Sequence, residues 1–280
     1  MSPIQPISNS NSPEQVVKPV GVEGQILTQK RSSLLSRSLI VAGVCFLAIF
    51  AFSWILYFIL NNVLDLSADS AGTTIIILYA VAAVLIIVSF IMSMVVWAKI
   101  NTVRIGTIIT TIVFYSVAEG IGFGILFFAI GLSTEASEIM RDVMLLFLAG
   151  GLIFAITGII GTMLSKKATI GLGKFILIAT IAYIVIMLIT FIVVIVAAAV
   201  GNGAILDALN SNAFLFLIFG FEGILFILYI AFDFSSIKKS EAFINSELSF
   251  RYSLIFGYKL LIDLIGLIWV LIRIFLATRR

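Results

Sequence analysis

The chain has 280 residues, of which 62% are hydrophobic and 11% are charged, and its formal net charge is +3. Soluble globular proteins are about half apolar and a quarter charged, so this composition indicates folding in lipid and excludes a soluble catalytic domain. There is no histidine and one cysteine, Cys45, which excludes an intrachain disulfide, an imidazole or thiolate-cluster metal site, and His-based acid–base catalysis. The sequence therefore predicts no enzyme activity, no bound metal and no cofactor.

Residues 1–38 are polar and contain all four prolines of the chain. This segment is too long and too polar for the n-region of a signal peptide, and the apolar run that follows is long enough to be retained as a helix. Its composition favours disorder over a packed structure. We predict a disordered cytoplasmic tail over residues 1–38 and a membrane domain over residues 39–280.

Seven apolar runs follow the tail, and each is close to or longer than the roughly 20 residues that a helix needs to cross the hydrocarbon core. The runs cover residues 39–60, 73–97, 105–132, 143–164, 175–200, 213–233 and 254–275. The gaps between them are too short to hold a soluble domain. The sequence predicts an all-α polytopic membrane protein with seven transmembrane helices, in which the last run either crosses fully or re-enters the same face.

Basic residues are distributed unevenly over the segments between these runs. Thirteen of the 17 Lys and Arg residues lie in one alternating set of segments, whereas the other set holds only Arg141 and six acids. Because basic loops stay in the cytoplasm, we predict a cytoplasmic N-terminus. If the last run crosses the membrane fully, this orientation places three basic residues on the outer side, against the charge bias: Arg273, Arg279 and Arg280. Phospholipid headgroups account for the basic clusters, and no pattern predicts binding to nucleic acid.

Four acidic residues lie within the apolar runs, where each carboxylate costs about 2.5–3.5 kcal/mol on insertion scales. They are Glu119, Glu222, Asp233 and Asp263. Glu119 and Glu222 have no basic residue within one helical turn, so each is protonated, paired across helices, or exposed to a wet cavity. We predict these two as pore-lining or mid-membrane acids.

The two aspartates are placed to meet. Asp233 closes the sixth run, Asp263 lies about two and a half turns into the seventh, and a cytoplasmic hairpin over residues 234–253 joins the two helices. Two antiparallel helices joined by a turn at this point place both carboxyls at a similar depth in the membrane. Two carboxylates in contact cannot both ionise cheaply, so such a pair shares a proton at low pH and repels at high pH.

Simple ion pairs are the alternative interpretation of these aspartates. Lys259 precedes Asp263 by four residues, a spacing at which side chains meet on one helix face. Asp233 can similarly sit at the membrane interface beside Lys238.

At these positions the sequence resembles the Bax inhibitor-1 family (transmembrane BAX inhibitor motif proteins). In that family the third helix carries Glu-Gly, the sixth ends in aromatic-Asp with Ile four positions on, and the last carries an aspartate with arginine ten positions on. The matching segments here are Glu119-Gly120, Phe232-Asp233 through Ile237, and Asp263 through Arg273. The resemblance covers the chain from about residue 39 onward.

The resemblance implies a seven-helix bundle with the last helix central, and a pH-sensitive di-aspartyl latch, Asp233 and Asp263, that closes a calcium-permeable leak. Lys259 and Arg273 would be the basic residues that tune it. The family usually has tyrosine where this chain has Leu261 and asparagine where it has Gly266. A lysine beside the aspartate pair, here Lys259, is unusual for the family. It would affect the pH at which the aspartate pair responds.

The resulting functional prediction is a pH-gated cation leak channel of the cell (plasma) membrane, with calcium as the permeant ion. Two alternatives stay open: a proton-coupled transporter, and a non-transporting regulator that binds a membrane protease or a stress-pathway membrane protein. An intramembrane aspartyl protease also uses aspartates on two adjacent helices. This chain lacks the Gly-x-Gly-Asp and Pro-Ala-Leu motifs of those enzymes, which disfavours that interpretation.

Overall fold

The computed structural model describes residues 33–63, 68–100, 102–133, 135–201, 203–209, 211–241, 244 and 246–279. This part of the chain is helical almost throughout and contains no strand. Seven of its helices are long and apolar enough to cross a membrane. The predicted class is thereby confirmed: the chain is an all-α, multi-pass membrane protein. Most of the predicted tail, residues 1–32, lies outside the described residues.

Eight α-helices follow one another along the described chain, and the first ends in a π-helical turn at Ile59–Val63. They are α1 (Leu34–Phe58), α2 (Ala68–Ala98), α3 (Ile105–Gly131), α4 (Ala136–Met163), α5 (Lys166–Val200), α6 (Gly203–Leu209), α7 (Asn212–Ser240) and α8 (Ser246–Thr278). The short α6 was not expected from the sequence. It follows Gly201, which ends α5 in a left-handed conformation with φ of 70°, a conformation that glycine adopts without steric cost.

Several helices extend beyond the apolar runs. Helix α1 begins at Leu34 rather than residue 39, because the Ser33 hydroxyl accepts a hydrogen bond from the Ser36 amide and caps the first turn. The predicted hairpin over residues 234–253 is wrong in length, since α7 continues to Ser240 and α8 begins at Ser246. Hydropathy marks where a helix leaves the hydrocarbon core, whereas the helix itself continues into the polar region.

Two helices form the centre of the bundle. In α3 and α8, 61% and 56% of the most apolar stretch is buried, against 11% in α2 and 6% in α5. Helix α8 packs against α1, α3, α4 and α7, so the last helix is central as expected. It is also one uninterrupted helix of 33 residues. This length favours a full crossing over a re-entrant segment.

Candidate functional site

The structure brings the two predicted aspartates together at the interface of α7 and α8. Asp233 is 1% exposed and Asp263 is 5% exposed, and their carboxyl groups interact directly with each other. The Oδ2 atom of each is buried without a hydrogen-bond partner among the described residues. Helix α8 presents Asp263 to α7 because Leu260, Leu261 and the rest of the same stretch fill the core around it.

Lys259 completes this cluster, but with a partner that the sequence did not indicate. Its Nζ atom lies 2.5 Å from Oδ1 of Asp233 on the neighbouring helix. The local ion pair between Lys259 and Asp263 is therefore the wrong alternative. The proposed pairing of Asp233 with Lys238 is also wrong, since Lys238 donates instead to the carbonyl oxygen of Thr162 at 3.1 Å.

Charge counting shows what the acidic cluster (Asp233, Asp263 and Lys259) can do. Two carboxylates and one ammonium carry a net charge of −1 when both acids are ionised, and one bound proton makes the group neutral. An unbalanced charge between packed helices is costly because few water molecules or dipoles solvate it. The net charge of the cluster therefore depends on whether it holds one proton.

Glu119 is paired across helices, one of the three states left open by the sequence. Its Oε2 atom accepts a hydrogen bond of 2.7 Å from the indole N–H of Trp269 on α8, and the Tyr115 hydroxyl interacts with the same carboxyl. The Trp269 ring is held by stacking on Phe123, with ring centroids 4.4 Å apart. Glu119 thus joins the two central helices through neutral hydrogen-bond donors, at 9% exposure.

This contact predicts different outcomes for two substitutions of Glu119. Glu119→Gln keeps an acceptor for the Trp269 indole, so we expect it to change the free energy of unfolding by less than about 1 kcal/mol. Glu119→Ala leaves that half-buried N–H unpaired and should cost about 1–3 kcal/mol. Unfolding in detergent micelles measures both, with Glu138→Gln at an exposed position as control. Equal losses for Gln and Ala would contradict the hydrogen-bonding role.

Glu222 and Arg273 form a second ion pair between α7 and α8. Arg273 Nη2 lies 2.8 Å from Glu222 Oε1, and the Tyr183 hydroxyl of α5 donates to Glu222 Oε2 at 3.0 Å. The guanidinium also lies over the Phe219 ring, 5.0 Å from its centroid. The prediction that Arg273 tunes the aspartates needs correction. Ten helical residues separate it from Asp263 by about 15 Å, and its charge is balanced by Glu222.

The arginines near the C-terminus have a structural explanation. Arg279 lies 3.0 Å from Asp142 and 3.4 Å from Glu135, which stand at the start of α4. The acids at this end of the bundle thus neutralise one of the basic residues that disagreed with the charge bias. Arg280 lies outside the described residues.

Sequence reasoning missed the hydroxyl contacts that hold α5 to α7. Thr169 and Ser235 hydroxyls lie 2.6 Å apart, as do those of Thr180 and Tyr229. The Lys239 ammonium donates to Ser235 at 2.8 Å and also contacts Thr169. The available signal was the spacing of Thr169, Thr180 and Tyr183, which places all three on one face of α5.

Comparison with protein-family models matches none of them, and comparison with curated proteins also finds no match. The resemblance to the Bax inhibitor-1 family therefore stays a prediction, carried by the residues of the third, sixth and last membrane helices.

Proposed function

We propose that this protein is a pH-sensitive cation leak channel of the Bax inhibitor-1 type, with calcium as the permeant ion. The observation that supports the proposal is that two buried acids, Asp233 and Asp263, share one half-buried base, Lys259. A purely structural ion pair would need only one acid. The second buried carboxyl adds no stability when it is ionised, since its ionisation leaves the cluster with an unbalanced charge.

The cluster lies where it can control the packing of the central helix. With one proton bound, the group is neutral and α7 stays against α8. When the proton leaves, the two carboxylates repel, and the cheapest way to solvate the extra charge is to let water enter between the helices. An interaction between the two carboxyls that separates their proton-binding steps by about one pH unit, or roughly 1.4 kcal/mol, is enough for a usable switch. Flux should therefore increase as pH rises.

Glu119 is the mid-membrane acid best suited to contact a passing cation. Glu222 is neutralised by Arg273, whereas the hydrogen bonds to Glu119 come from uncharged groups. Its carboxyl group is therefore not neutralised by a basic residue and is available to a cation once water enters alongside α8. In this proposal the protein resides in the cell membrane with its N-terminus in the cytoplasm, in keeping with the charge bias of its loops.

Calcium efflux from liposomes that contain only this protein tests the proposal. We expect efflux that increases several-fold between about pH 5 and pH 8, as two coupled carboxyls lose their shared proton. Absence of efflux at every pH would contradict the channel and favour a regulator that acts through a membrane protein partner. Efflux that requires a cosubstrate would instead identify a proton-coupled transporter.

A further inference from the structure

Five lysines surround the turn between α4 and α5. Lys166 and Lys167 occupy the first turn of α5 and are exposed, and Lys174 is exposed two turns further on. Two lysines reach the same turn from α7: Lys238 donates to the Thr162 carbonyl at the end of α4, and Lys239 donates to the Ser165 carbonyl at 3.0 Å. Five positive charges therefore lie at one end of three neighbouring helices.

No acid of the described residues forms an ion pair with these lysines. Helix α5 contains no Asp or Glu, and the acids of α4, Glu138 and Asp142, lie in its opposite end. Glu241, at the end of α7, is engaged with α1, where its Oε1 atom accepts from the Leu34 amide at 3.0 Å. Among the described residues, none of the five ion pairs includes a lysine of this group.

Three residues on one face of α5 leave an open gap between two lysines, which we call the recess. At about 100° per residue, Lys167, Gly171 and Lys174 fall within a sector of about 60°. Gly171 is exposed, and a Cβ atom built on it meets nothing within 4 Å. The glycine therefore leaves an open position between two ammonium groups. We call Lys166, Lys167, Gly171 and Lys174 the lysine site.

The same face of α5 continues as an apolar surface. Ile178, Ile181 and Val185 lie in register with Lys167 and are 68%, 55% and 48% exposed. Charged groups at the end of a membrane helix, followed by an exposed apolar stripe along it, match a molecule with an anionic head and long hydrocarbon chains. A soluble phosphate would use the lysines but not the stripe.

We propose that the lysine site binds the phosphate headgroup of an anionic phospholipid, whose acyl chains lie along Ile178, Ile181 and Val185. The phosphate is held between Lys167 and Lys174 over Gly171, and Lys166 supplies a further charge from the first turn. Each lysine near the membrane surface contributes to such binding through attraction to anionic lipid. The inference is independent of ion conduction, since it concerns the peripheral helix α5 and none of the acidic cluster.

Native mass spectrometry of the full chain with bound phosphatidylglycerol tests this site, with phosphatidylcholine as the uncharged comparison. The double variant Lys167→Gln/Lys174→Gln should bind phosphatidylglycerol about 30-fold more weakly, from the usual contribution of two interfacial lysines. Its matched control is Lys99→Gln/Arg104→Gln, which removes two exposed charges from the α2–α3 connection. We expect that control to retain binding within about twofold.

Gly171→Leu separates the shape of the site from its charge. It keeps every lysine and places a side chain in the recess, so binding should fall at least several-fold while the fold is unchanged. Equal losses in the two double variants would overturn the proposal in favour of a diffuse charge effect. Unchanged lipid binding by Gly171→Leu would contradict the part of the proposal in which the phosphate lies in the recess. Displacement of the lipid by inorganic phosphate at equal concentration would show a soluble anion site instead.

Discussion

Replacing Lys259 with methionine should be among the most damaging single changes in this protein. The substitution leaves Asp233, 1% exposed, and Asp263, 5% exposed, without the ammonium that lies 2.5 Å from Asp233. Removing one partner of a buried ion pair costs about 3–5 kcal/mol, because the other charge stays buried and uncompensated. We expect a loss of this size near pH 8 and a smaller one near pH 5, where protons can replace the ammonium.

Unfolding of the purified protein in detergent, followed at both pH values, measures this effect. The control is Lys238→Met, which removes an equally long side chain that contacts only the exposed Thr162 carbonyl. It should cost less than about 1 kcal/mol at either pH, as exposed polar contacts usually do. A loss for Lys259→Met that is the same at both pH values would show that the carboxyls do not exchange protons with solvent.

A single methyl group at Gly161 should have the second large effect. A Cβ atom there would clash with the carbonyl oxygen of Ala231 and lie 2.9 Å from its Cα atom. Both are backbone atoms, so no side chain can rotate away and α4 must move off α7. We expect Gly161→Ala to lower the free energy of unfolding by about 3 kcal/mol, at the upper end for overpacking.

The same helix provides the comparison for this substitution. A Cβ at Gly151 meets nothing within 4 Å, so Gly151→Ala should be neutral or stabilising by up to about 1 kcal/mol from helix propensity. Unfolding measurements on the two variants separate the effect of the close approach of α4 to α7 from the intrinsic helix propensity of alanine. Equal stability of both variants would contradict the packing of α4 on α7.

The membrane helices could be predicted from the sequence because hydropathy depends on composition along one segment. The meeting of Asp233 and Asp263 could also be predicted, because two antiparallel helices joined by a turn place them side by side, although the turn is shorter than expected. The partners could not be predicted, because they depend on how each helix is rotated about its axis. Lys259 stands four residues from Asp263, yet it pairs with Asp233 on α7.

The ion pair of Glu222 and Arg273 could not be predicted from the sequence for the same reason. They lie 51 residues apart, and only the antiparallel packing of α7 on α8 brings their charges within 2.8 Å. The hydrogen bonds between hydroxyl groups of α5 and α7 were even harder to predict from the sequence, since threonine in a membrane helix commonly bonds to the backbone of its own helix. Thr169 and Thr180 do so, to Ser165 and Ile176, in addition to their contacts with α7.

The pH profile of calcium efflux in aspartate variants tests the central claim most directly. Asp233→Asn and Asp263→Asn each leave one carboxylate with the Lys259 ammonium, a group that is neutral without any bound proton. Each variant should therefore stay closed from about pH 5 to pH 8, and the double variant should also lack the pH response, because the pair acts as a unit. Wild-type pH profiles in both single variants, with additive changes in the double, would show that no proton is shared and that the acidic cluster does not gate the channel.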